Sequence, residues 1–308
     1  ALPPAAPYRR YIQWLEKRDR SASLAYWEKS LQGISAPTHV ARPRLPGLSA
    51  GDHGQGRIEA KLDRATTAGR FARASQLGIT PGTLVQCAWA IALSALRGSR
   101  DVVFATTVSG RPAELAGADR MVGLFINAVP TRITLEDGET FASLAQRSHR
   151  ALGEGVPHHH CPLAEIQART TLGRELVDHI LVFENYDSGG AATRVGGLAI
   201  SQLGIVEKTN YALTLQVYPG EQLGFGLDFD RARVGKDEVT ALQKRLERVL
   251  KRVASEPELK VSKLREIIKV RLAASFTADP IAPHIESWLR RAGHAVECSL
   301  APYDQVMQ

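Results

Sequence analysis

The 308-residue chain is short of cysteine, with Cys87, Cys161 and Cys298 as its three thiols, an odd total without a CxxC spacing. Neither a disulfide framework nor a structural zinc site is suggested, and a reducing cytoplasm is the expected compartment. Long apolar runs are missing as well. A spanning helix takes about 18 uninterrupted apolar residues, and no window approaches that; Ala1-Leu2-Pro3-Pro4 also lacks the cationic and apolar halves of a signal peptide. Aromatics are only 6% of the residues. A nucleic-acid binder concentrates Lys and Arg in a stripe with exposed aromatics. Here 39 basic residues are interleaved with 32 acidic ones, as in Glu16-Lys17-Arg18-Asp19-Arg20 and Lys244-Arg245-Leu246-Glu247-Arg248. Such mixing reads as solvated helix faces, so neither nucleic acid nor membrane is an expected partner. The net charge of +7 favours acidic partners with phosphate groups.

The 44% of hydrophobic residues suffices for one large or two ordinary domains. Tyr11, Trp14, Leu15 and then Leu24, Trp27, Leu31 fall on helical stripes, predicting two short helices with Gly33 as a stop. Ala36 to Gly56, punctuated by proline and glycine, reads as a surface connector, and the alternation from Arg57 to Leu62 as a half-buried strand. A helix is expected over Asp63 to Leu77. Thr80-Pro81 caps another that runs to Gly98 and is apolar nearly all round, hence buried. Val102 to Val108 and Ala128 to Leu135 read as strands and Thr140 to Leu152 as a helix. Strands follow at Ile180 to Phe183 and Leu198 to Val206. Tyr211 to Tyr218 turns at Pro219-Gly220 into Leu223 to Phe229 as a hairpin, ahead of a charged helix over Lys236 to Ala254. Helices and strands interleave without strict βαβ alternation, which predicts an α/β (α+β sandwich) fold with a mixed sheet covered by helices. After Ser255-Glu256-Pro257 a new strand–helix–strand pattern runs through Ile267 to Ser275, Ile281 to Ala292 and Ala295 to Leu300, the start of a second domain. The first residue is not Met and no cap closes Tyr303 to Gln308, so the chain is expected to be a piece of a longer protein.

His158-His159-His160-Cys161 is the densest cluster of ligating types. Adjacent residues point in different directions, whereas zinc ligands are spaced, so a polar loop is expected there and no metal site. No GxxxxGK[ST] loop or GxGxxG fingerprint is present, and Gly224-x-Gly226 lies inside a strand, the wrong context for a phosphate cradle. Asp228 and Asp230 lie two apart on a strand, a spacing compatible with a shared face or with an ordinary strand end. Ser109-Gly110-Arg111 follows a strand in a tight turn. An arginine held this way suits a bidentate bond to a carboxylate; the alternative is a solvated surface turn.

Four segments, in order, resemble the motifs of condensation domains of nonribosomal peptide synthetases, members of the chloramphenicol-acetyltransferase-like superfamily. Tyr8-Arg9-Arg10-Tyr11-Ile12-Gln13-Trp14 is similar to YxDYxxW, with Arg10 at the acidic position. Val122-Gly123-Leu124-Phe125-Ile126-Asn127-Ala128-Val129-Pro130-Thr131-Arg132 resembles (V/I)GxFVNTxxxR, departing at Ala128. His158-His159-His160-Cys161-Pro162-Leu163 resembles HQDxPF, and His179-Ile180-Leu181-Val182-Phe183-Glu184-Asn185-Tyr186 a late strand often reading LFVFENY. The likeness spans about Tyr8 to Val261 and corresponds to the C-terminal lobe of a two-lobed domain, here residues 1–262.

The family's catalytic His-His-x-x-x-Asp-Gly motif belongs to the other lobe. His158-His159 leads to Leu163-Ala164 and His159-His160 to Ala164-Glu165, so neither pair matches it, and no catalytic residue is assigned in this chain. The resemblance implies amide formation between an acyl thioester and an amine. Both are carried on phosphopantetheine arms of donor and acceptor carrier proteins, with no cofactor bound covalently to the domain. This chain would supply one wall of the tunnel between the lobes and be inactive alone. Ser109, Gly110 and Arg111 resemble the tunnel floor, with Arg111 salt-bridging the aspartate of the catalytic motif in the N-terminal lobe. Gly123, Phe125, Asn127, Glu184 and Asn185 are the motif residues expected near the tunnel. The hairpin from Tyr211 to Phe229 resembles the segment that crosses to the first lobe. Residues 263–308 are similar to the opening of an FkbH-like domain. Two other functions are compatible with the sequence: a noncatalytic platform for docking acidic carrier proteins, and a stand-alone acyltransferase using His158 to His160.

Overall fold

At Asp19, Asp63, Thr80 and Thr140 a helix begins where a side chain takes up an N–H group that the first turn leaves free. The computed structural model describes residues 5–41, 54–184, 193–195, 198–200, 209–256, 258–265, 267–272, 281–291 and 295–300. Helices α1 (Arg9–Glu16) and α2 (Arg20–Leu31) open the chain, and the Asp19 carboxylate caps α2 by accepting the Ser21 N–H at 2.8 Å. Strand β1 (Gln55–Lys61) leads to α3 (Arg64–Gln76), capped by Asp63, and to α4 (Pro81–Arg97), capped by Thr80. Then come β2 (Asp101–Val108), β3 (Asn127–Thr134), α5 (Phe141–Gly155), the short α6 (Leu163–Gln167) and β4 (His179–Phe183). Two three-residue strands, β5 (Thr193–Val195) and β6 (Leu198–Ile200), precede β7 (Leu213–Tyr218), β8 (Gly224–Asp230) and α7 (Lys236–Ser255). Helix α8 (Val261–Arg265) is followed by β9 (Ile267–Leu272), α9 (Ile281–Arg291) and β10 (Ala295–Leu300).

Six strands form one mixed sheet in the order β1-β8-β7-β4-β2-β3. Neighbours β2 and β4, and β4 and β7, are parallel; the other pairs are antiparallel. Side chains alternate between the two faces. Leu213, Leu215 and Val217 of β7, with Phe225, Leu227 and Phe229 of β8, join Trp89 of α4 and Leu246 and Leu250 of α7 in the larger core. On the opposite face Val103, Ala105, Val129 and Ile180 are covered by Trp27 and Leu31 of α2 and Ile166 of α6. Helix α4 is buried from Leu84 through Leu93 save Gln86, as its apolar circumference requires. Among the described residues no single helix is long and apolar enough to cross a membrane.

Two expectations change. The hairpin β7–β8 does not leave the body of the fold: it occupies the middle of the sheet, and Thr214 and Gln216 are buried along with the apolar residues between them. Residues 36–41 are not a surface connector throughout, because the backbone N–H groups of Val40 and Ala41 donate to the buried Asp178 carboxylate at 2.8–3.1 Å. Of the strand expected from Leu198 to Val206, residues Leu198–Ile200 form β6, and residues 201–206 lie outside the described residues. The late strand–helix–strand pattern does form: β9 and β10 pair in parallel, Ala295 opposite Ile267, with α9 between them in sequence.

Candidate functional site

Because β2, β4 and β7 are parallel, their carboxyl ends, at Val108, Phe183 and Tyr218, lie at the same end of the sheet. Strand β3 starts there as well, Asn127 opposite Val108. The irregular segment 109–126 therefore leaves the sheet and returns to it at one place. Its two arms are pressed together. Gly110 adopts the left-handed conformation, φ +61°, and a Cβ there would overlap the Phe125 carbonyl oxygen. Arg111 then turns back, its Nη1 donating to the Ala118 and Met121 carbonyl oxygens, and its guanidinium carbon lies 4.1 Å over the Phe125 ring. Phe125, 3% exposed, thus serves as a platform for a cation. Arg111 has no carboxylate partner among the described residues. Ser109 is exposed beside it.

The first motif closes over the same loop. Tyr8 lies against Gly123, where a Cβ would run into the Tyr8 ring, and its hydroxyl donates to the Leu124 carbonyl oxygen. Tyr8 meets Phe125 edge-on at 5.2 Å, and Tyr11 meets it at 4.4 Å. Tyr11 stacks on Trp14 at 5.9 Å, which in turn carries Arg18 and the edge of His160. The third motif is fastened by Asn127. Its side-chain amide nitrogen donates to the carbonyl oxygens of His159 at 2.8 Å and Cys161 at 2.7 Å, while its amide oxygen accepts the Ala128 N–H. Three segments far apart in sequence are thereby joined at one end of the sheet.

In this setting the three histidines are scaffold. His158 stacks on Tyr26 at 4.2 Å, its Nδ1 is 2.9 Å from Ser23 Oγ, and its carbonyl oxygen accepts the Trp27 indole N–H. Burial lowers the pKa of all three; a second histidine of the run adds to this for His158 and His159, and His159 is pushed down to about 4. For His160, burial and the nearby Arg18 and Arg20 outweigh a bond to the Pro157 carbonyl. All three are neutral near pH 7, and their imidazoles are turned to different neighbours, as the side-by-side spacing requires. Among the described residues no group of three or more His, Cys, Asp or Glu could hold a metal ion.

Glu184 follows β4 at the same end of the sheet, and its N–H donates to the Val217 carbonyl oxygen at 2.9 Å; Asn185 lies outside the described residues. That backbone bond ties the end of β4 to β7 rather than to the loop. Asp228 and Asp230 do not act as a pair: Asp228 accepts from Arg57 at 2.6 Å, and Asp230 accepts the Ala232 N–H at 3.0 Å. A cleft of about 1170 Å³, lined by His39, Arg97, Arg174, Asp178, Tyr211 and Arg233 among others, opens at the opposite end of the sheet, where β4 and β7 begin. Of the motif segments it reaches Leu163 alone. The spacing Gly47-Leu48-Ser49-Ala50-Gly51 matches a nucleophile elbow, GxSxG, but lies outside the described residues. An elbow joins a strand to a following helix, whereas the next element here is a strand, β1.

Two features were missed in the sequence. One is the buried pair Asp178 and His179, 2.9 Å apart. Burial opposes the Asp178 charge, but His179 and the Ala41 and Val40 N–H groups outweigh it and hold the pKa at about 2. The other is a row of exposed apolar side chains, Val122 at 81%, Leu124 at 73% and Ile126 at 54% exposure. Their alternation with Gly123 and Phe125 was the available signal: one side of this segment faces Tyr8 and the core, so the other must face outward.

Comparison with known proteins shows the family and the fold. The family model described as "Condensation domain" matches residues 1–269. Tyrocidine synthase 2 of Brevibacillus parabrevis is 35% identical over 260 residues, covering 83% of this chain and 7% of that protein. Surfactin synthase subunit 3 of Bacillus subtilis (strain 168) is 34% identical over 265 residues, covering 85% of this chain and 20% of that protein. Among solved structures, the X-domain from teicoplanin biosynthesis superposes with a TM-score of 0.66 at 23% identity, over 82% of this chain and 59% of that one. The first condensation domain of the calcium-dependent antibiotic synthetase gives 0.67 at 21% identity, over 85% of this chain and 58% of that one. At these identities the structures show a shared fold, a six-stranded mixed sheet covered by helices.

Proposed function

The chain belongs to the condensation-domain family, and we propose that residues 1–262 are the C-terminal lobe of such a domain from a nonribosomal peptide synthetase. The domain joins an acyl thioester on a donor carrier protein to an amine on an acceptor carrier protein, both held on phosphopantetheine arms. The amine attacks the thioester carbonyl, the C–N bond forms, and the donor arm leaves as a thiol while the amine loses a proton. This lobe supplies a wall of the reaction tunnel and no base of its own, since it lacks the His-His-x-x-x-Asp-Gly sequence.

The observation that carries the reading is the state of Arg111. Its guanidinium is oriented by the Phe125 ring and two carbonyl oxygens, yet has no carboxylate partner among the described residues. An oriented guanidinium is suited to a carboxylate arriving from outside, and the proposed partner is the aspartate of the catalytic motif in the N-terminal lobe. Arg111 is then a positioning residue: it orients the loop that carries the base. The test is amide formation by the two lobes together with Arg111→Ala and Arg111→Lys. The alanine variant is expected to lower kcat at least about tenfold with little change in KM, and lysine to restore part of it. Unchanged kcat in both variants overturns the assignment. Residues 263–308 are proposed to open a separate α/β unit, similar to the start of an FkbH-like domain, on the strength of the parallel β9–β10 pair.

A further inference from the structure

We propose that the cleft at the amino ends of β4 and β7 binds a small organic phosphate. Its volume of about 1170 Å³ is comparable to that of pockets that take small molecules, about 300–1,000 Å³. One wall is braced from within. The Asp178 carboxylate accepts the N–H groups of Val40 and Ala41 at 2.8–3.1 Å, which pins the segment carrying Ala36, Pro37 and His39 of the lining against the sheet. Pro37, Leu163, Val177 and the ring of Tyr211 give the cleft an apolar side, where the carbon skeleton of a ligand can lie.

Charge decides the class of ligand. Two carboxylates line the cleft, and the protein itself occupies both. Asp178 holds the backbone of residues 40 and 41 and lies 2.9 Å from His179 Nδ1, and Glu175 Oε2 lies 3.6 Å from His39 Nε2. Three guanidinium groups from separate parts of the chain then set the sign: Arg97 at the end of α4, Arg174 ahead of β4 and Arg233 after β8. Arg97 Nη2 is anchored on the Val40 carbonyl oxygen at 2.8 Å, and Arg233 Nη1 on that of Asn210 at 3.3 Å. Among the described residues Arg174 and Arg233 have no carboxylate partner. A carboxylate offers two oxygens in one plane and is filled by a single guanidinium, whereas a phosphate offers oxygens on several sides and accepts from several cations at once. Burial raises the pKa of Tyr211, so its hydroxyl stays protonated and adds a donor.

The experiment titrates the 308-residue chain with inorganic pyrophosphate by calorimetry, with citrate in a parallel arm and sodium chloride holding the ionic strength constant. Wild type is expected to bind pyrophosphate saturably at one site and citrate more weakly. The double variant Arg174→Gln, Arg233→Gln is expected to bind pyrophosphate at least about tenfold more weakly. Should it not fold, Arg174→Gln alone, at an exposed position, is expected to weaken binding at least about threefold. Absence of saturable binding to wild type, or wild-type affinity in the folded variants, overturns the inference. Citrate bound as tightly as pyrophosphate makes a polycarboxylate the ligand and overturns the phosphate assignment. Displacement of pyrophosphate by a carrier protein bearing its phosphopantetheine arm makes the arm the occupant and likewise overturns it. None of these outcomes bears on the lobe reading, which concerns the other end of the sheet.

Discussion

The side-chain amide nitrogen of Asn127 lies 2.7 Å from the Cys161 carbonyl oxygen and, with the same group, 2.8 Å from that of His159. One amide thus fixes the turn after α5 to the first residue of β3. Replacing Asn127 with alanine leaves two carbonyl oxygens without this donor and is expected to cost about 2 kcal/mol. Aspartate, which sets a carboxylate against two carbonyls, is expected to cost more. Urea denaturation measures both, and an Asp variant as stable as wild type would remove the brace from the account.

Gly123 and Tyr8 are expected to be coupled. A methyl group at position 123 meets the Tyr8 ring, so Gly123→Ala should lose about 1–3 kcal/mol through overpacking. In a Tyr8→Ala background the same change should cost much less. A double-mutant cycle reads the coupling; additive effects would show that the two residues do not share a contact in solution.

His159 gives the protein a dependence on pH in the acid range. Burial and the adjacent His158 depress its pKa to about 4 from the ordinary 6.5. A depressed histidine contributes stability that is fully present above pH 6.5 and is lost as pH falls towards 4, because the unfolded chain takes up the proton first. With allowance for partial exposure the loss is on the order of 1–2 kcal/mol. His159→Gln should flatten the stability profile between those two values, measured as denaturation midpoint against pH. An identical profile for the variant would assign the acid lability elsewhere.

Asp178 acts in the same direction at lower pH. Its pKa of about 2 means that its contribution is present above the ordinary carboxylate range and disappears as pH falls from about 4 to 2. Asp178→Asn should destabilise the protein at neutral pH by about 2 kcal/mol or more and reduce the slope below about pH 4. An Asn variant as stable as wild type at neutral pH contradicts this.

Local signals were legible in the sequence where they are physical and short-ranged. Thr80-Pro81 marked the start of α4 and Gly98 its end, and its apolar circumference announced its burial. Strand order was not legible, because it depends on pairings between distant segments: β1 lies against β8, Gln55 opposite Asp230. The hairpin β7–β8 was misplaced because resemblance alone assigned it to a crossing into the other lobe; nothing local in Tyr211 to Phe229 signals that both faces of a central strand are buried, Thr214 and Gln216 included.

The candidate site was legible as motifs and not as contacts. Resemblance drew attention to Gly123, Phe125 and Asn127, and the structure supplies their physical tasks: room for a tyrosine, a platform for Arg111, and a clasp on two carbonyls. The bond from Tyr8 to Leu124 spans 116 residues, a separation no local pattern can signal. Asp178 escaped notice because its partners are backbone N–H groups of residues 40 and 41, in a stretch that composition marked as loop.

The central claim is that this chain is one half of a condensing unit whose base resides in the other half. The most direct measurement is single-turnover amide formation from carrier-bound donor and acceptor, with this chain alone and with the N-terminal lobe added. The account predicts no product above background from the chain alone and product when both lobes are present. Full turnover by the chain alone would contradict it.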